Sequence, residues 1–150
     1  MTTRALVDTN ILVYAYDRSE KTKQWQAIPL LESLREREQG LISSQVLSEF
    51  YSAVTRKIAV PLPPAQALER LEGFLTSWPV LPVTGPIVLE AARGASERSL
   101  HFWDALLWAT ARFNQVPLIL SEDFSHGAVL GGVSFANPFS DGFRLEQWLG

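Results

Sequence analysis

Two aspartates follow short, largely apolar runs that predict β-strands. Asp8 comes directly after the run at residues 4–7, and Asp123 lies just beyond the run at residues 117–120. An isolated aspartate at a strand end often caps a turn or the helix that follows. In a parallel sheet, however, the carboxyl ends of the strands meet at one edge, which is where such sheets place their ligand sites. We therefore expect Asp8 and Asp123 to lie near each other at that edge.

Asp104 stands in the first turn of a predicted helix that is otherwise apolar. Its helical neighbours three, four and seven positions later are Leu107, Trp108 and Ala111. A buried carboxylate without a partner costs several kcal/mol. The amide groups and dipole of a helix N-terminus offer one partner, but they contribute only about 0.3–1 kcal/mol. A divalent cation would offset the cost better, so Asp104 is either a helix-terminal charge or a metal ligand.

Glu49 belongs to a predicted helix over residues 44–57 whose apolar face includes Val46 and Phe50. At about 100° per residue, Glu49 falls on the shoulder of that face. A glutamate in this position either reaches inward or stays in water, and taken alone the solvated interpretation is the simpler one. Glu49 becomes a candidate site residue only together with the other three acids.

The composition restricts the chemistry that these acids can support. The chain has no cysteine and only two histidines, His101 and His126, which are far apart in the sequence. Thiolate nucleophiles, cysteine-ligated zinc and an HExxH zinc helix are therefore excluded. Carboxylate oxygen suits Mg²⁺ or Mn²⁺, which typically lie between protein acids and a substrate phosphate. Four convergent acids predict metal-dependent phosphoryl chemistry, in which an ion relieves their mutual repulsion and activates water.

Strands and helices alternate along the 150 residues. Strands are predicted at residues 4–7, 41–43, 80–83, 117–120 and 133–135, and helices at 10–16, 24–38, 44–57, 65–78, from 84 onward, and 103–113. Ser44 is the predicted cap of the third helix, and Thr84 with Pro86 opens the fifth. Such alternation indicates a parallel α/β sheet that is covered on both faces. Without repeats or linkers, residues 1–150 are expected to form a single domain.

Four blocks of the sequence resemble the signature of PIN-domain ribonucleases. They are VDTN at 7–10, SQVLSEF at 44–50, FWDAL at 102–106 and LSED at 120–123. More narrowly, the chain resembles the VapC-type toxins of toxin–antitoxin pairs. The resemblance implies a three-layer α/β/α sandwich with a central parallel sheet and an endoribonuclease that depends on Mg²⁺ or Mn²⁺. It also implies a homodimer and a cognate antitoxin that occludes the site.

The resemblance further implies roles for individual residues. The catalytic and metal-binding acids would be Asp8, Glu49, Asp104 and Asp123. Asn10 and Ser121 would orient them, and Thr9 is a weaker candidate for the same role. Glu122 adjoins Asp123, and spacing alone does not decide which of these two carboxylates turns inward.

Substrate RNA should be bound by basic residues near the same site, although each of them is equally well explained as a solvated surface charge. The first candidates are Arg18, Lys21 and Lys23, and the second are Arg56 and Lys57. His101 is interpreted as a partly exposed structural residue. Trp103 and Trp108, in the apolar helix, are interpreted as core or dimer-interface residues rather than as platforms for bases.

Other functions fit the residues less well. A haloacid-dehalogenase-like phosphatase needs a second aspartate where the chain has Asn10, and a late lysine, whereas the last lysine is Lys57. The missing lysine equally disfavours a phospho-accepting receiver domain. A catalytically inactive PIN-like RNA-binding module is disfavoured by the presence of all four acids. The net charge of −3 argues against binding of nucleic acid through bulk positive charge. The sequence suggests no signal peptide or membrane span, so we expect a cytoplasmic protein.

Overall fold

A computed structural model of the chain describes residues 3–150. Six strands form one sheet in the order β3-β2-β1-β4-β6-β5. All neighbours are parallel except β5 and β6, which form an antiparallel pair. The strands are β1 (Ala5–Val7), β2 (Gly40–Ser43), β3 (Val80–Leu81), β4 (Leu118–Leu120), β5 (Val129–Leu130) and β6 (Val133–Ala136). The sheet is thus mostly parallel, as predicted.

Seven helices surround this sheet within the described residues. They are α1 (Thr9–Tyr14), α2 (Lys21–Glu36), α3 (Ser44–Arg56), α4 (Pro64–Ser77), α5 (Gly85–Arg98), α6 (Phe102–Phe113) and α7 (Leu145–Leu149). Helix α1 contacts α2 and α3, α3 contacts α4, and α5 contacts α6. Right-handed crossovers place α1 to α4 on one face and α5 with α6 on the other, because the chain reverses its direction across the sheet after β3. The architecture is the predicted α/β/α sandwich.

The central strands β1, β2 and β4 are buried at every position, including Leu6, Ile42 and Ile119. Continuous apolar burial is expected for parallel strands that are covered on both faces. The carboxyl ends of β1 and β4 meet where the Asp8 amide donates to the Leu120 carbonyl over 2.9 Å. This edge carries the polar residues described below.

The start of α3 differs from the prediction. Ser43, not Ser44, caps the helix, because its hydroxyl accepts a hydrogen bond from the Val46 amide at 3.2 Å. Ser44 is the first helical residue, and its hydroxyl accepts from the Val83 amide at 3.0 Å. Adjacent serines offer the same local capping chemistry, so only the tertiary contact distinguishes them.

Helix α6 contains a second departure from the sequence-based interpretation. Trp108 is 1% exposed, as expected for a core residue, and its Nε1 donates to the Leu130 carbonyl at 3.0 Å. Trp103 is 54% exposed, so it is not a core residue of this chain, and its alternative place in a dimer interface stays a prediction. The buried residues of α6 begin at Ala105, so the first turn of this helix is covered less than the turns that follow. No helix within residues 3–150 is long and apolar enough to cross a bilayer.

Candidate active site

Asp8 is held at the junction of β1 and α1. It is the N-cap of α1, and its Oδ1 accepts a hydrogen bond from the Thr9 amide at 2.7 Å. Its Oδ2 accepts from the Ser121 hydroxyl at 2.6 Å. The side chain therefore does cap a helix, yet its second oxygen points toward the residues that follow β4.

Ser121 and Asn10 connect Asp8 with Asp123. The Asp123 amide donates to the Ser121 hydroxyl at 3.0 Å, which fixes the turn after β4. The Asn10 Nδ2 lies 3.1 Å from Asp123 Oδ2 and 3.4 Å from Asp8 Oδ2, so one amide group bridges the two carboxylates. Asn10 and Ser121 thus contact Asp8 and Asp123, two of the acids that the resemblance implies they orient.

Glu49 reaches the same region from α3. Its Oε1 accepts a hydrogen bond from the Thr9 hydroxyl at 2.8 Å. The side chain is half-buried, so it turns inward from the shoulder of the helix rather than remaining in water. Thr9, the weaker candidate for an orienting role, is the residue that holds Glu49.

Asp104 lies in the first turn of α6 and is half-buried. Within residues 3–150 its carboxylate takes part in no hydrogen bond and caps no helix amide. Burial, followed by the nearby charge of Asp123, raises the pKa of Asp104 above its ordinary value, although His101 opposes the shift. The helix N-terminus alone does not satisfy this charge.

One cavity of about 1020 Å³ brings the four acids together at the carboxyl edge of the sheet. Its walls come from the ends of β1 and β4 and from the helices α1, α3 and α6. The acids that line it are Asp8, Glu49, Asp104 and Asp123. Their placement agrees with the geometric expectation, whereas their catalytic role stays a prediction.

Asp8 is the most deeply buried of the four acids in this cavity. Burial raises the pKa of Asp8 to about 7, and the charges of Asp123 and Glu49 add to the shift. Hydrogen bonds from Ser121 and the Thr9 amide act in the opposite direction. The carboxylates therefore repel one another. Protein donors hold Asp8, Glu49 and Asp123 in place, whereas Asp104 has no such donor within residues 3–150.

The carboxylates do not form a ready-made metal cluster. Among residues 3–150, no three acidic or histidine side chains form a group that could hold a metal ion as they stand. The Asn10 amide nitrogen occupies the space between Asp8 and Asp123, and the Asn10 Oδ1 is buried without a hydrogen-bond partner in this part of the chain. An ion shared by Asp8 and Asp123 requires this amide to move.

The structure distinguishes Glu122 from Asp123. Glu122 points away from the cavity, where it accepts hydrogen bonds from the Tyr14 hydroxyl and from Lys23 Nζ at 2.8 Å. The Lys23 ammonium also lies 4.7 Å from the centre of the Tyr14 ring and 5.4 Å from that of Phe139. Asp123 is consequently the carboxylate that turns inward.

The basic candidates separate in the structure. Lys57 lines the cavity together with the four acids. Lys23 is paired with Glu122. Arg18, in the segment after α1, and Lys21, the first residue of α2, are both exposed. Arg56 is exposed at the end of α3. Of the five residues, the structure places Lys57, a second-rank candidate, in the cavity.

Two further residues of the cavity were not identified from the sequence. Gln45 is 8% exposed and lies one helical turn before Glu49, so its i, i+4 spacing from Glu49 was the available signal. Asp17 is also 8% exposed, and its Oδ1 accepts from the Ser19 amide and hydroxyl at 3.0 and 2.6 Å. Asp17 follows no predicted strand, which is why the sequence offered no reason to select it.

The chain matches a known protein family. The family model of the PIN domain matches residues 5–129. No curated protein matches the chain at comparable significance. Solved structures with a similar fold include FitAB bound to an IR36 DNA fragment (TM-score 0.69, 20% identity, 91% of this chain and 96% of that one).

A toxin–antitoxin complex from Klebsiella pneumoniae has a TM-score of 0.64 at 20% identity and covers 90% of this chain and 98% of its own. VapC20 of Mycobacterium tuberculosis, a sarcin–ricin loop cleaving toxin, has a TM-score of 0.60 at 17% identity and covers 77% and 86%. At these identities the structures share the fold. Because the family model covers most of the sequence, the chain belongs to the PIN-domain family.

Proposed function

We propose that this protein is an endoribonuclease that depends on Mg²⁺ or Mn²⁺ and acts in the cytoplasm as the toxin of a toxin–antitoxin pair. One observation carries the proposal: four carboxylates from four separate segments of a PIN-domain chain line a single cavity. Asp8 and Asp123 follow strands, Glu49 comes from α3, and Asp104 from α6. No histidine lines this cavity within the described residues, so a metal ion there would be bound by oxygen atoms.

The residues of the cavity fit a hard cation. The donors are carboxylate and amide oxygens, which Mg²⁺ and Mn²⁺ prefer. A half turn of the Asn10 amide would replace its N–H groups with its unpartnered Oδ1 and allow Asp8 and Asp123 to share an ion. Burial is the main cause of the raised pKa of Asp8, and the repulsion from Asp123 and Glu49 adds to it. A cation would offset both effects, because it stabilises the charged form of the carboxylate.

The other side chains of the cavity hold the carboxylates in position and exclude water from its apolar wall. Ser121 holds Asp8, Asn10 bridges Asp8 to Asp123, and Thr9 holds Glu49. Leu106 and Leu107 form an apolar wall beside Asp104, which strengthens the electrostatic interactions inside the cavity. When bound, the cation would neutralise charge on the scissile phosphate and acidify a water molecule for attack.

The nuclease proposal is tested with purified protein and a single-stranded RNA. We expect cleavage with Mg²⁺ or Mn²⁺, none in excess chelator, and a loss of at least 100-fold in Asp8→Asn, on the order of the effect of removing one electrostatic catalytic group. Asp141→Asn is the matched control, since Asp141 is exposed and lies outside the cavity. Cleavage that persists in chelator would contradict metal dependence. RNA binding without any cleavage would identify an inactive RNA-binding module.

The toxin and its partners are proposed from the similar structures, two of which are a toxin–antitoxin complex and an RNA-cleaving toxin. Exposed apolar side chains on α2 and α4, such as Trp25, Leu68 and Leu75, support a homodimer or a bound antitoxin. Expression of the protein alone should arrest bacterial growth, and Asp104→Asn should relieve the arrest whereas Asp141→Asn should not. Equal toxicity of both variants at equal abundance would exclude nuclease action as the cause.

A further inference from the structure

We propose that a single strand of RNA lies along α3 within the cavity, with one base stacked on Trp103 and a phosphate bound by Lys57. The proposal rests on the nuclease function proposed above and specifies how that site holds its substrate. Trp103 and Lys57 both line the cavity that contains the four acids. They come from different elements, Trp103 from the start of α6 and Lys57 from the residue that follows α3.

The face of α3 that lines the cavity is built from short polar side chains. Ser44, Ser48 and Ser52 recur at intervals of four residues, and so do Gln45 and Glu49. Residues four apart lie on one side of a helix, about 6 Å apart along its axis. This side of α3 therefore extends for about 20 Å from the helix start to Lys57, past Glu49 at its middle.

Lys57 is the cation of this surface. Five carboxylates line the cavity, the fifth being Asp17, and Lys57 is the basic residue among its lining side chains within residues 3–150. Lys57 forms no salt bridge with any of residues 3–150, whereas Lys23 is paired with Glu122. A free ammonium group in the same cavity as five carboxylates is suited to a phosphate, which the carboxylates alone would repel.

Trp103 offers a flat aromatic surface at the other end. Its side chain is 54% exposed, while its backbone carbonyl accepts a hydrogen bond from Gln45 Nε2 at 2.9 Å. The Phe102 ring contacts the Trp103 ring edge to face, with centroids 5.2 Å apart. An indole that is anchored in this way but exposed on one side can stack on an unpaired base.

Gln45 adds a second polar feature to the same end of the cavity. Its side chain is 8% exposed, and its Oε1 has no hydrogen-bond partner among residues 3–150. A buried acceptor without a donor is destabilising, so a ligand O–H or N–H would satisfy it. The ribose 2′-hydroxyl is such a donor and distinguishes RNA from DNA. Stacking on Trp103 requires an unpaired base, which favours a single strand over a duplex.

The test measures binding of a short, fluorescently labelled single-stranded RNA with Mg²⁺ present, in the Asp8→Asn background so that the RNA stays intact. Lys57→Met should weaken binding and lower the slope of log Kd against log salt by about 0.7, the value for one phosphate contact with a single strand. Trp103→Ala should weaken binding about 5- to 100-fold and leave the salt slope unchanged. DNA of the same sequence and a duplex of the same RNA should bind more weakly.

Matched controls separate these contacts from general effects of charge and apolar surface. Arg37→Met removes one positive charge from an exposed side chain outside the cavity, and Trp25→Ala removes an indole that is 72% exposed on α2. Lys57→Arg should keep the affinity and the salt slope. Thermal melts confirm that each variant is folded, which is expected because Lys57 and Trp103 are exposed.

The outcomes are distinguishable. If Lys57→Met and Trp103→Ala bind RNA no more weakly than their controls, the proposed path is wrong, and this face of α3 is then free for a protein partner. If Arg37→Met weakens binding as much as Lys57→Met does, the effect is one of general charge and the assignment of the phosphate to Lys57 is wrong. Failure of the parent protein to cleave RNA with either metal would instead contradict the proposed function, and the binding series would still decide the path.

Discussion

Asp8 is a carboxyl group whose pKa of about 7 in the folded chain lies well above its ordinary value of 3.8. Between these two values the folded protein binds a proton that the unfolded chain does not. The contribution of Asp8 to the free energy of unfolding in chelator should therefore be largest below about pH 4 and decrease between about pH 4 and 7, by about 1.4 kcal/mol per pH unit at most.

Asp8→Asn should remove most of this pH dependence, because an amide carries no charge to bury. We expect the variant to be more stable than the parent at pH 8 in chelator, less the hydrogen-bond energy lost at Ser121. Urea unfolding at pH 5 and pH 8 measures the difference, with Asp141→Asn as the exposed control. A parent protein with the same stability at both pH values would show that Asp8 is not electrostatically strained.

The sequence predicts the positions of the acids better than their contacts. Asp8 and Asp104 are recognisable because each interrupts an apolar run, and this local signal is visible in one sequence without comparison with others. The choice between Glu122 and Asp123 depends on Lys23, which is about one hundred residues away along the chain. No local pattern encodes such a pair, and this is why spacing left the choice open.

The same distinction applies to elements. Helices α3, α4 and α6 are predicted close to their true bounds because each has an apolar face and a clear start. The two-residue strand β5 and the five-residue α7 were not identified, since they are too short to show a period and form through tertiary contacts. The core alternative for Trp103 failed for a related reason: composition shows that α6 is apolar but not at which residue its burial begins.

Packing of α5 against α6 depends on Gly94. A Cβ atom at Gly94 would lie 2.4 Å from the ring of Trp108, which is 1% exposed and cannot move away. Gly94→Ala should therefore destabilise the fold by about 1–3 kcal/mol, despite the helix propensity of alanine. Gly73→Ala is the matched control in α4, where nothing lies within 4 Å, and should stabilise by about 0.5–1 kcal/mol. Denaturant midpoints test both, and a stabilising Gly94→Ala would show that this contact is not tight.

Helices α1 and α2 are tied to the loop after β4 by the contact of Lys23 with Glu122 and Tyr14. The side chains of the ion pair are 35% and 21% exposed, so solvent screens it and its contribution is about 1 kcal/mol. Lys23→Met should lower the stability by this amount. A double-mutant cycle with Glu122→Gln measures the coupling, and additive effects of the two changes would show that the pair contributes nothing.

At the scale of the whole molecule, the carboxylates that the proposed function needs lower the stability of the fold, because they repel one another. The net charge is only −3, yet five of the sixteen acids line one cavity. The sheet and its two helical layers must therefore hold five carboxylates in a cavity whose lining has one basic side chain, Lys57, among residues 3–150. Hydrogen bonds stabilise the charges of Asp8 and Glu49, whereas the charge of Asp104 is stabilised only by partial contact with solvent.

Asp104→Asn tests this repulsion through the melting temperature. In chelator the variant should melt at a higher temperature than the parent, because it loses a charge whose pKa is raised by burial and by Asp123. Mg²⁺ or Mn²⁺ at 100 times its dissociation constant contributes about 2.7 kcal/mol to the parent by mass action. For a chain of this size, that corresponds to a rise of about 5–10 °C.

The metal response distinguishes a ligand from a structural charge. Asp104→Asn should rise much less than the parent at the same metal concentration, because one oxygen ligand has been lost, whereas Asp141→Asn should respond as the parent does. If Asp104→Asn instead melts several degrees lower in chelator and gains as much from metal as the parent, its carboxylate stabilises the start of α6 and does not bind the ion. The raised pKa of Asp104 and its lack of a hydrogen-bond partner within residues 3–150 favour the first outcome, because a carboxylate that stabilises a helix start has its pKa lowered by the helix amides.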